Sequence, residues 1–121
     1  MTNWKKLEVK WVEHGTVPVT VYHLSGTFTS SPEAYAFLDQ LQERVRKGHT
    51  RVVIHLEGVE AVTSAGVGIL AAGYTSVTNA GGKMCLAQVP DRARAILSIV
   101  GLLTVIGEGP GEEEAVRRVS A

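Results

Sequence analysis

RVVIHLEGVEAVTSAGVGILAAGY, residues 51–74, joins a buried apolar run to a helix that begins with small residues. Its first part, RVVIHLE, is a short, continuous run rich in β-branched side chains, which is typical of a central parallel strand covered on both faces. Thr63 and Ser64 then turn the chain into a helix predicted from about Ser64 to Asn79, ahead of a Gly-Gly pair. The stretch therefore predicts a buried strand followed directly by a helix.

The rest of the chain alternates between strand and helix signals. Residues 6–24 predict two strands around Gly15, because apolar and polar side chains alternate there, and Pro18 marks an edge or the start of the second strand. SGTFTSS, residues 25–31, is predicted as a loop in which Ser31 caps the next helix. The remaining predicted elements are a helix from Pro32 to about Lys47, a strand at 83–89, a helix from Pro90 through Val100, a strand at 102–107 and a helix at 111–119.

This order, β-β-α-β-α-β-α-β-α, predicts an α/β fold. Strands that alternate with single helices imply a mostly parallel, mixed sheet with right-handed crossover helices and one antiparallel pair at the beginning. The sequence has no internal repeat, linker or low-complexity segment, so we expect a single domain over residues 1–121.

Charge and composition narrow the function classes. Twelve basic and twelve acidic residues give a formal net charge of zero, which argues against binding to nucleic acid or to an anionic membrane. Cys85 is the single cysteine and cannot form an internal disulfide, so a reducing compartment is expected. The most apolar window, AGVGILAAGY, is shorter than the roughly 20 residues of a membrane-spanning helix, and the start of the chain lacks the apolar core of a signal peptide. We therefore expect a cytoplasmic protein without direct membrane insertion.

The sequence lacks the motifs of common catalytic and ligand sites. His14, His23, His49 and His55 are scattered without ligand spacing, so no metal site is predicted. SAGVG lacks the third glycine and the later acid of a dinucleotide-binding motif, and there is no Walker lysine. Residues 62–66 are not the Gly-x-Ser-x-Gly of a nucleophile elbow. We expect a protein that is not an enzyme, with no catalytic residue and no cofactor.

Thr63 and Ser64 place two hydroxyl groups at the start of the second helix. One of them is expected to cap that helix by accepting a hydrogen bond from a free backbone amide, an interaction worth about 1 kcal/mol. The same position suits phosphorylation, because a phosphate would add about −1.5 to −2 charges beside amides whose dipole favours an anion. The two interpretations are compatible.

These segments resemble the STAS domain family, named for sulfate transporters and anti-sigma factor antagonists. The resemblance covers nearly the whole chain and rests on the β-β start, GTFTSS before the first long helix, VVIHLEGVEAVTSAGVGIL, AGGKMCLAQV, PDRARAILSIVGLLTVI and the closing GEEEAV. The most specific part is the middle stretch, where the family usually has Asp-Ser-Ser-Gly-Leu-Gly and this chain has Thr63 to Gly68.

As a small STAS protein, the chain looks like a bacterial anti-sigma factor antagonist. The resemblance implies a partner-switching regulator of transcription: it binds an anti-sigma factor of the serine kinase type, is released when that kinase uses ATP to phosphorylate it, and is reset by a phosphatase. The implied phosphorylation site is Ser64, with Thr63 as the second choice. The implied partner-binding residues are Gly26, Thr27, Phe28, Thr29, Ser30, Thr63, Ser64, Ala65, Gly66 and Val67.

Two departures from the family pattern keep other functions open. The aspartate before the phosphorylated serine is Thr63 here, and a second common aspartate, after the glycine that precedes the first helix, is Thr29. Their absence favours the alternative of a STAS adaptor or sensory subunit, not phosphorylated, in a signalling or lipid-transport complex. A module that binds a small ligand or nucleotide near Thr29 and Ser64 is a second alternative.

Overall fold

A computed structural model describes residues 5–121 of the chain. The strands are β1 (Glu8–His14), β2 (Val19–Phe28), β3 (Arg51–Val62), β4 (Lys83–Ala87) and β5 (Glu108–Gly109). The helices are α1 (Pro32–Arg46), α2 (Ser64–Asn79), α3 (Asp91–Ile99), α4 (Leu102–Ile106) and α5 (Glu112–Ser120). The described strands form one sheet in the order β1-β2-β3-β4-β5, in which β1 and β2 are antiparallel and the later pairs are parallel. The predicted α/β class, with a mixed sheet and an antiparallel pair at its start, is confirmed.

Helices cover the two faces of this sheet unequally. Four helices, α1 to α4, pack on one face, where the ring of Phe37 lies edge-on to Tyr22 and Phe28 at centroid distances of 5.3 and 6.1 Å. On the other face, α5 is the one helix of residues 5–121 that packs against the sheet, over a small apolar cluster formed by Val19, Val21, Val53, Cys85, Ala87, Ala115 and Val119. The apolar cluster on the α5 face is therefore small, and polar side chains lie beside it.

The loop predicted at residues 25–31 is shorter than expected, because β2 continues through Phe28. Ser25 pairs with Glu8 of β1 and with Gly58 of β3, and Phe28 pairs with Val62 at the far end of β3. Both neighbouring strands thus supply hydrogen-bonding partners for a segment whose glycine, serine and threonine content suggested a loop. Ser31 caps α1 as predicted, since its hydroxyl oxygen accepts a hydrogen bond from the Ala34 amide at 3.1 Å.

The strand predicted at residues 102–107 is wrong, because this segment forms the short helix α4. Ile106 is buried and Leu102 and Leu103 are half-buried, whereas Thr104 and Val105 face solvent. That burial pattern has the spacing of a helix, and periodicity alone cannot separate strand from helix in so short an apolar run. The last strand is instead the two-residue β5, so a second helix follows α3 and precedes the last strand.

Arg94 of α3 and Glu108 of β5 form an ion pair that joins a helix to the edge strand. The guanidinium donates two hydrogen bonds to the carboxylate, at 2.8 and 2.6 Å. These bonds and the positive charge lower the pKa of Glu108, against a smaller opposing effect of burial. The pair therefore contributes stability that is present above the carboxyl's ordinary pKa of about 4.3 and is lost as the pH falls through the lowered pKa.

We expect Glu108→Gln to lower the free energy of unfolding at pH 7, and we expect the deficit relative to the native chain to shrink towards zero below pH 4. Denaturant unfolding of both chains at several pH values measures this deficit. Glu113→Gln, at an exposed position in the first turn of α5, is the matched control and should show little deficit at either pH. A deficit of the same size at pH 7 and at pH 3.5 would assign the effect to packing instead of charge.

Candidate functional site

Two turns meet at the carboxyl ends of the neighbouring parallel strands β2 and β3. Phe28 and Val62 are paired in the register, and the Thr63 amide donates a hydrogen bond to the Phe28 carbonyl at 3.0 Å. The chain then enters α1 on one side and α2 on the other. In parallel α/β sheets this edge is the usual position of a functional site.

Thr63 is the N-cap of α2, and its side chain connects the two turns. It has extended backbone angles, φ −97° and ψ 171°, and its hydroxyl oxygen accepts a hydrogen bond from the Gly66 amide at 3.3 Å. The same hydroxyl donates to the Thr29 hydroxyl at 2.9 Å. The prediction that this hydroxyl pair supplies the cap is confirmed, with Thr63 in that role.

Ser64 is the first residue of α2 and is exposed to solvent. Among the described residues 5–121, hydrogen bonds are recorded for the hydroxyls of Thr63 and Thr29 but not for that of Ser64. The first turn of α2 contains no acidic side chain, so the partial positive charge of its free amides is not neutralised there. The serine hydroxyl is thus accessible and lies where an added anion would be stabilised. Its phosphorylation stays a prediction.

Two glycines hold the turns in this arrangement. A Cβ built on Gly66 would lie 2.2 Å from the Phe28 carbonyl oxygen, and one built on Gly26 would lie 2.2 Å from the Lys6 carbonyl oxygen. Gly26 also has φ +91°, which side chains other than glycine rarely adopt. Both positions therefore require glycine because of close backbone contact, and neither presents a side chain to a partner.

The predicted partner-binding residues separate by burial into two groups. Gly26, Phe28, Gly66 and Val67 are buried, so they support the turns from beneath. Phe28 is only 1% exposed. The second group is accessible and consists of Thr27, Thr29, Ser30, Thr63, Ser64 and Ala65. Thr27 and Thr29 are half-buried, and the other four residues are exposed. We call this accessible group the turn surface, and its role in binding stays a prediction.

A groove of about 450 Å³ lies beside the turn surface, and some of the residues that line it were not predicted as site residues. Thr29 and Thr63 line it, together with Lys5, Lys6 and Leu7 from the segment before β1. That segment reaches the site because the Thr27 amide donates a hydrogen bond to the Lys5 carbonyl at 3.0 Å, a long-range contact without a local sequence signal. Glu33 also lines the groove and Lys5 Nζ lies 4.0 Å from Glu60 Oε1, so charges of both signs lie near the start of α2.

The histidines are not all scattered, contrary to the sequence-based expectation. His23 and His55 are paired in the register of β2 and β3, and their ring centroids are 4.8 Å apart. His23 Nε2 lies 2.7 Å from Glu112 Oε1, and His14 Nε2 lies 3.4 Å from the other oxygen of that carboxylate. Burial, together with the nearby His23, lowers the pKa of His55. The pairing of β2 with β3 and the position of the first residue of α5 bring these side chains together. The spacing of the same residues along the sequence does not indicate such a group.

A comparison with protein-family models matches residues 10–115 to the STAS domain. The chain belongs to the STAS domain family. The match includes both turns of the site and the strands that carry them. The resemblance drawn from the sequence motifs is therefore confirmed at the level of the family.

Several of the solved structures similar to this STAS chain are described as anti-sigma factor antagonists. One from Mycobacterium paratuberculosis aligns with a TM-score of 0.81 at 23% identity, covering 96% of each chain. SpoIIAA in its unphosphorylated form aligns with a TM-score of 0.78 at 19% identity, covering 93% of this chain and 96% of that one. The Bacillus cell fate determinant SpoIIAA in its phosphorylated form gives 0.72 at 20% identity, covering 93% and 99%. At these identities the similarity shows the fold alone.

A comparison with curated protein sequences gives no match. Among the helices described within residues 5–121, none is both long and apolar enough to cross a membrane.

Proposed function

We propose that this STAS domain is a cytoplasmic anti-sigma factor antagonist that regulates transcription by partner switching. It binds a kinase-type anti-sigma factor through the turn surface, and phosphorylation of Ser64 by that kinase, with ATP, releases it. A phosphatase then restores the binding form. The observation that carries the proposal is the position of Ser64, exposed in the first turn of α2 beside a neighbouring turn, in a chain of the STAS family.

The local electrostatics support a switch of this kind. The unmodified turn surface is neutral, since it consists of threonine, serine and alanine side chains. A phosphate on Ser64 would add about −1.5 to −2 charges, which the free amides of α2 stabilise within the domain. A partner that fits the neutral surface would meet that charge without a compensating group, and burying an unpaired charge in an interface is costly. The domain stays folded while the interface is lost.

The domain acts in this proposal as a substrate and a binding module, not as an enzyme. Among the described residues, the Thr63 hydroxyl is already engaged with Gly66 and Thr29 and serves the helix cap. The kinase supplies the ATP and the catalytic groups, so the antagonist needs no cofactor of its own.

One observation favours the alternative of a STAS adaptor that is not phosphorylated. The two positions where the family commonly has aspartate are occupied by Thr29 and Thr63, and their hydroxyls bond each other at 2.9 Å. This neutral pair lacks the carboxylates that the family presents beside its serine. Under the adaptor hypothesis the two hydroxyls stabilise the fold, and the partner stays bound whether or not Ser64 is phosphorylated.

Phosphorylation mapping separates the two functions. The native chain is incubated with ATP and a kinase-type anti-sigma factor from the same organism, and the intact mass is measured. We expect one added phosphate in the native chain and in Thr63→Ala, and none in Ser64→Ala. Phosphatase treatment should remove the phosphate and restore binding to the kinase.

Ser98→Ala is the matched control, because it removes an exposed serine hydroxyl of α3, outside the turn surface, and should leave the phosphate in place. A chain that binds the kinase tightly yet gains no phosphate supports the adaptor function. A phosphate that persists in Ser64→Ala and disappears in Thr63→Ala would move the acceptor to Thr63.

A further inference from the structure

The group of His23, His55 and Glu112 lies on the α5 face of the sheet, away from the turn surface. In each strand, side chains alternate between faces, so His23 follows Val19 and Val21 on the face that α5 covers, and His55 follows Val53. Glu112 is the first residue of α5, which begins directly over the two histidines. Three separate elements, β2, β3 and α5, thus contribute one side chain each.

The geometry points to a binding site for a divalent transition-metal ion, of which Zn²⁺ is the representative. One ligand atom from each of His23, His55 and Glu112 lies within 4.8 Å of the others. An ion about 2.0–2.2 Å from each ligand would hold the ligand atoms about 3–3.5 Å apart, which requires only small side-chain rotations. Two imidazoles and one carboxylate form a ligand set that such ions favour.

The existing hydrogen bond marks the position that the ion would occupy. His23 Nε2 and Glu112 Oε1 lie within hydrogen-bond distance at 2.7 Å, and an ion bound between them would move the two atoms apart by about half an ångström. His55 is half-buried, so part of its hydration has already been lost on folding. His14 Nε2 lies 3.4 Å from Glu112 Oε2, at the exposed side of the group.

The charges around the group give a small negative excess. Glu112 is followed by Glu113 and Glu114 in the first turn of α5, which offsets the positive end of the helix dipole. Glu57 Oε2 lies 4.0 Å from His55 Nε2 and adds a second carboxylate. Lys10 is paired with His23 in the register, Arg117 lines a cavity beside His14 and Glu112, and both Arg117 and Arg118 pair with Glu114, so these three cations oppose binding. Four carboxylates, those of Glu57, Glu112, Glu113 and Glu114, exceed these three cations by one.

Binding would tie the start of α5 to the two central strands. This helix contacts β3 and β4 on a face that no other described helix covers, and Glu112 is its first residue. An ion held by all three side chains would therefore stabilise the C-terminal helix on the sheet. The consequence is structural, and it does not depend on phosphorylation of Ser64.

Zinc titration of the metal-stripped, tag-free full chain tests the site. Isothermal titration calorimetry at pH 7.5 should show one equivalent bound, and the melting temperature should rise with Zn²⁺. His55→Gln and Glu112→Gln should each weaken binding by at least about tenfold and abolish the rise in melting temperature. His49→Gln is the matched control, because His49 lies near Glu13 and outside the group, and it should bind like the native chain.

Co²⁺ in place of Zn²⁺ gives a spectroscopic readout of the ligands. We expect visible absorption bands of a low-symmetry site with nitrogen and oxygen ligands, and their loss in His55→Gln. A thiolate charge-transfer band would place the ion at Cys85 and overturn the proposal. Binding of equal strength in the native chain, His55→Gln and Glu112→Gln, or no binding in any of them, would overturn it as well.

Discussion

Gly66→Ala is expected to destabilise the domain by about 2–3 kcal/mol and to disrupt the turn that carries Ser64. The added Cβ would lie 2.2 Å from the Phe28 carbonyl oxygen, well inside van der Waals contact. That oxygen also accepts the hydrogen bond from the Thr63 amide at 3.0 Å, so it cannot move away without loss of this bond. The start of α2 must therefore separate from the end of β2. Urea unfolding monitored by circular dichroism measures the loss of stability.

Gly68→Ala is the matched control in the same helix. Gly68 is exposed, and a Cβ built there meets no atom within 4 Å among the described residues. Alanine should therefore stabilise the helix by about 0.5–1 kcal/mol, because glycine loses more backbone entropy on folding. The two substitutions should thus have opposite signs. Equal effects at Gly66 and Gly68 would show that the close contact between α2 and β2 is absent in solution.

Local sequence patterns were sufficient for most of the sheet and its helices. The β-branched run of β3 and the amphipathic spacing of α1 are local signals, and both elements begin where they were predicted, although β3 continues past the predicted run to Val62. The errors at residues 25–28 and 102–107 have a different origin. In the first, pairing with strands on both sides outweighs the local preference for a loop, and in the second, a short apolar run satisfies either periodicity.

The site was predictable only where its contacts are local. The capping hydroxyl lies three residues from the amide that it binds, so the local sequence was enough to predict a cap from Thr63 or Ser64, although it did not decide between them. The bond between Thr63 and Thr29 depends on the register of two strands, and so does the pairing of His23 with His55. A register cannot be deduced from the spacing of residues along the chain, which explains why the histidine group was missed.

The two threonines that stand where the family commonly has aspartate lie next to each other in the structure. Thr29 and Thr63 are 34 positions apart in sequence, yet their hydroxyl oxygens are 2.9 Å apart. Two carboxylates at this distance would repel each other, whereas two hydroxyls form a neutral hydrogen bond. Threonine at both positions thus preserves a connection between the turns and removes negative charge beside Ser64. A phosphate at Ser64 would meet less repulsion here than beside two carboxylates.

Ser64→Asp is expected to weaken binding to the anti-sigma factor by about 2–5 kcal/mol, which corresponds to at least thirtyfold in Kd. The substitution places a permanent negative charge on the turn surface, and a partner that fits the neutral surface would bury this charge without neutralising it. The fold should tolerate the change, since a carboxylate in the first turn of a helix is stabilising by about 0.3–1 kcal/mol. Calorimetric titration of the partner measures Kd, and thermal unfolding of the free variant measures its stability.

Two further variants identify the source of the effect. Ser64→Ala should bind within about twofold of the native chain, because it removes only a hydroxyl that faces solvent. Ser98→Asp adds the same charge at an exposed serine of α3, beside the exposed side chains of Ile99 and Val100, and should leave Kd unchanged. Unchanged affinity in Ser64→Asp supports the adaptor function. A loss of affinity in Ser98→Asp instead would move the docking surface from the turns to the apolar patch of α3, because a charge weakens binding only where the partner excludes water from it.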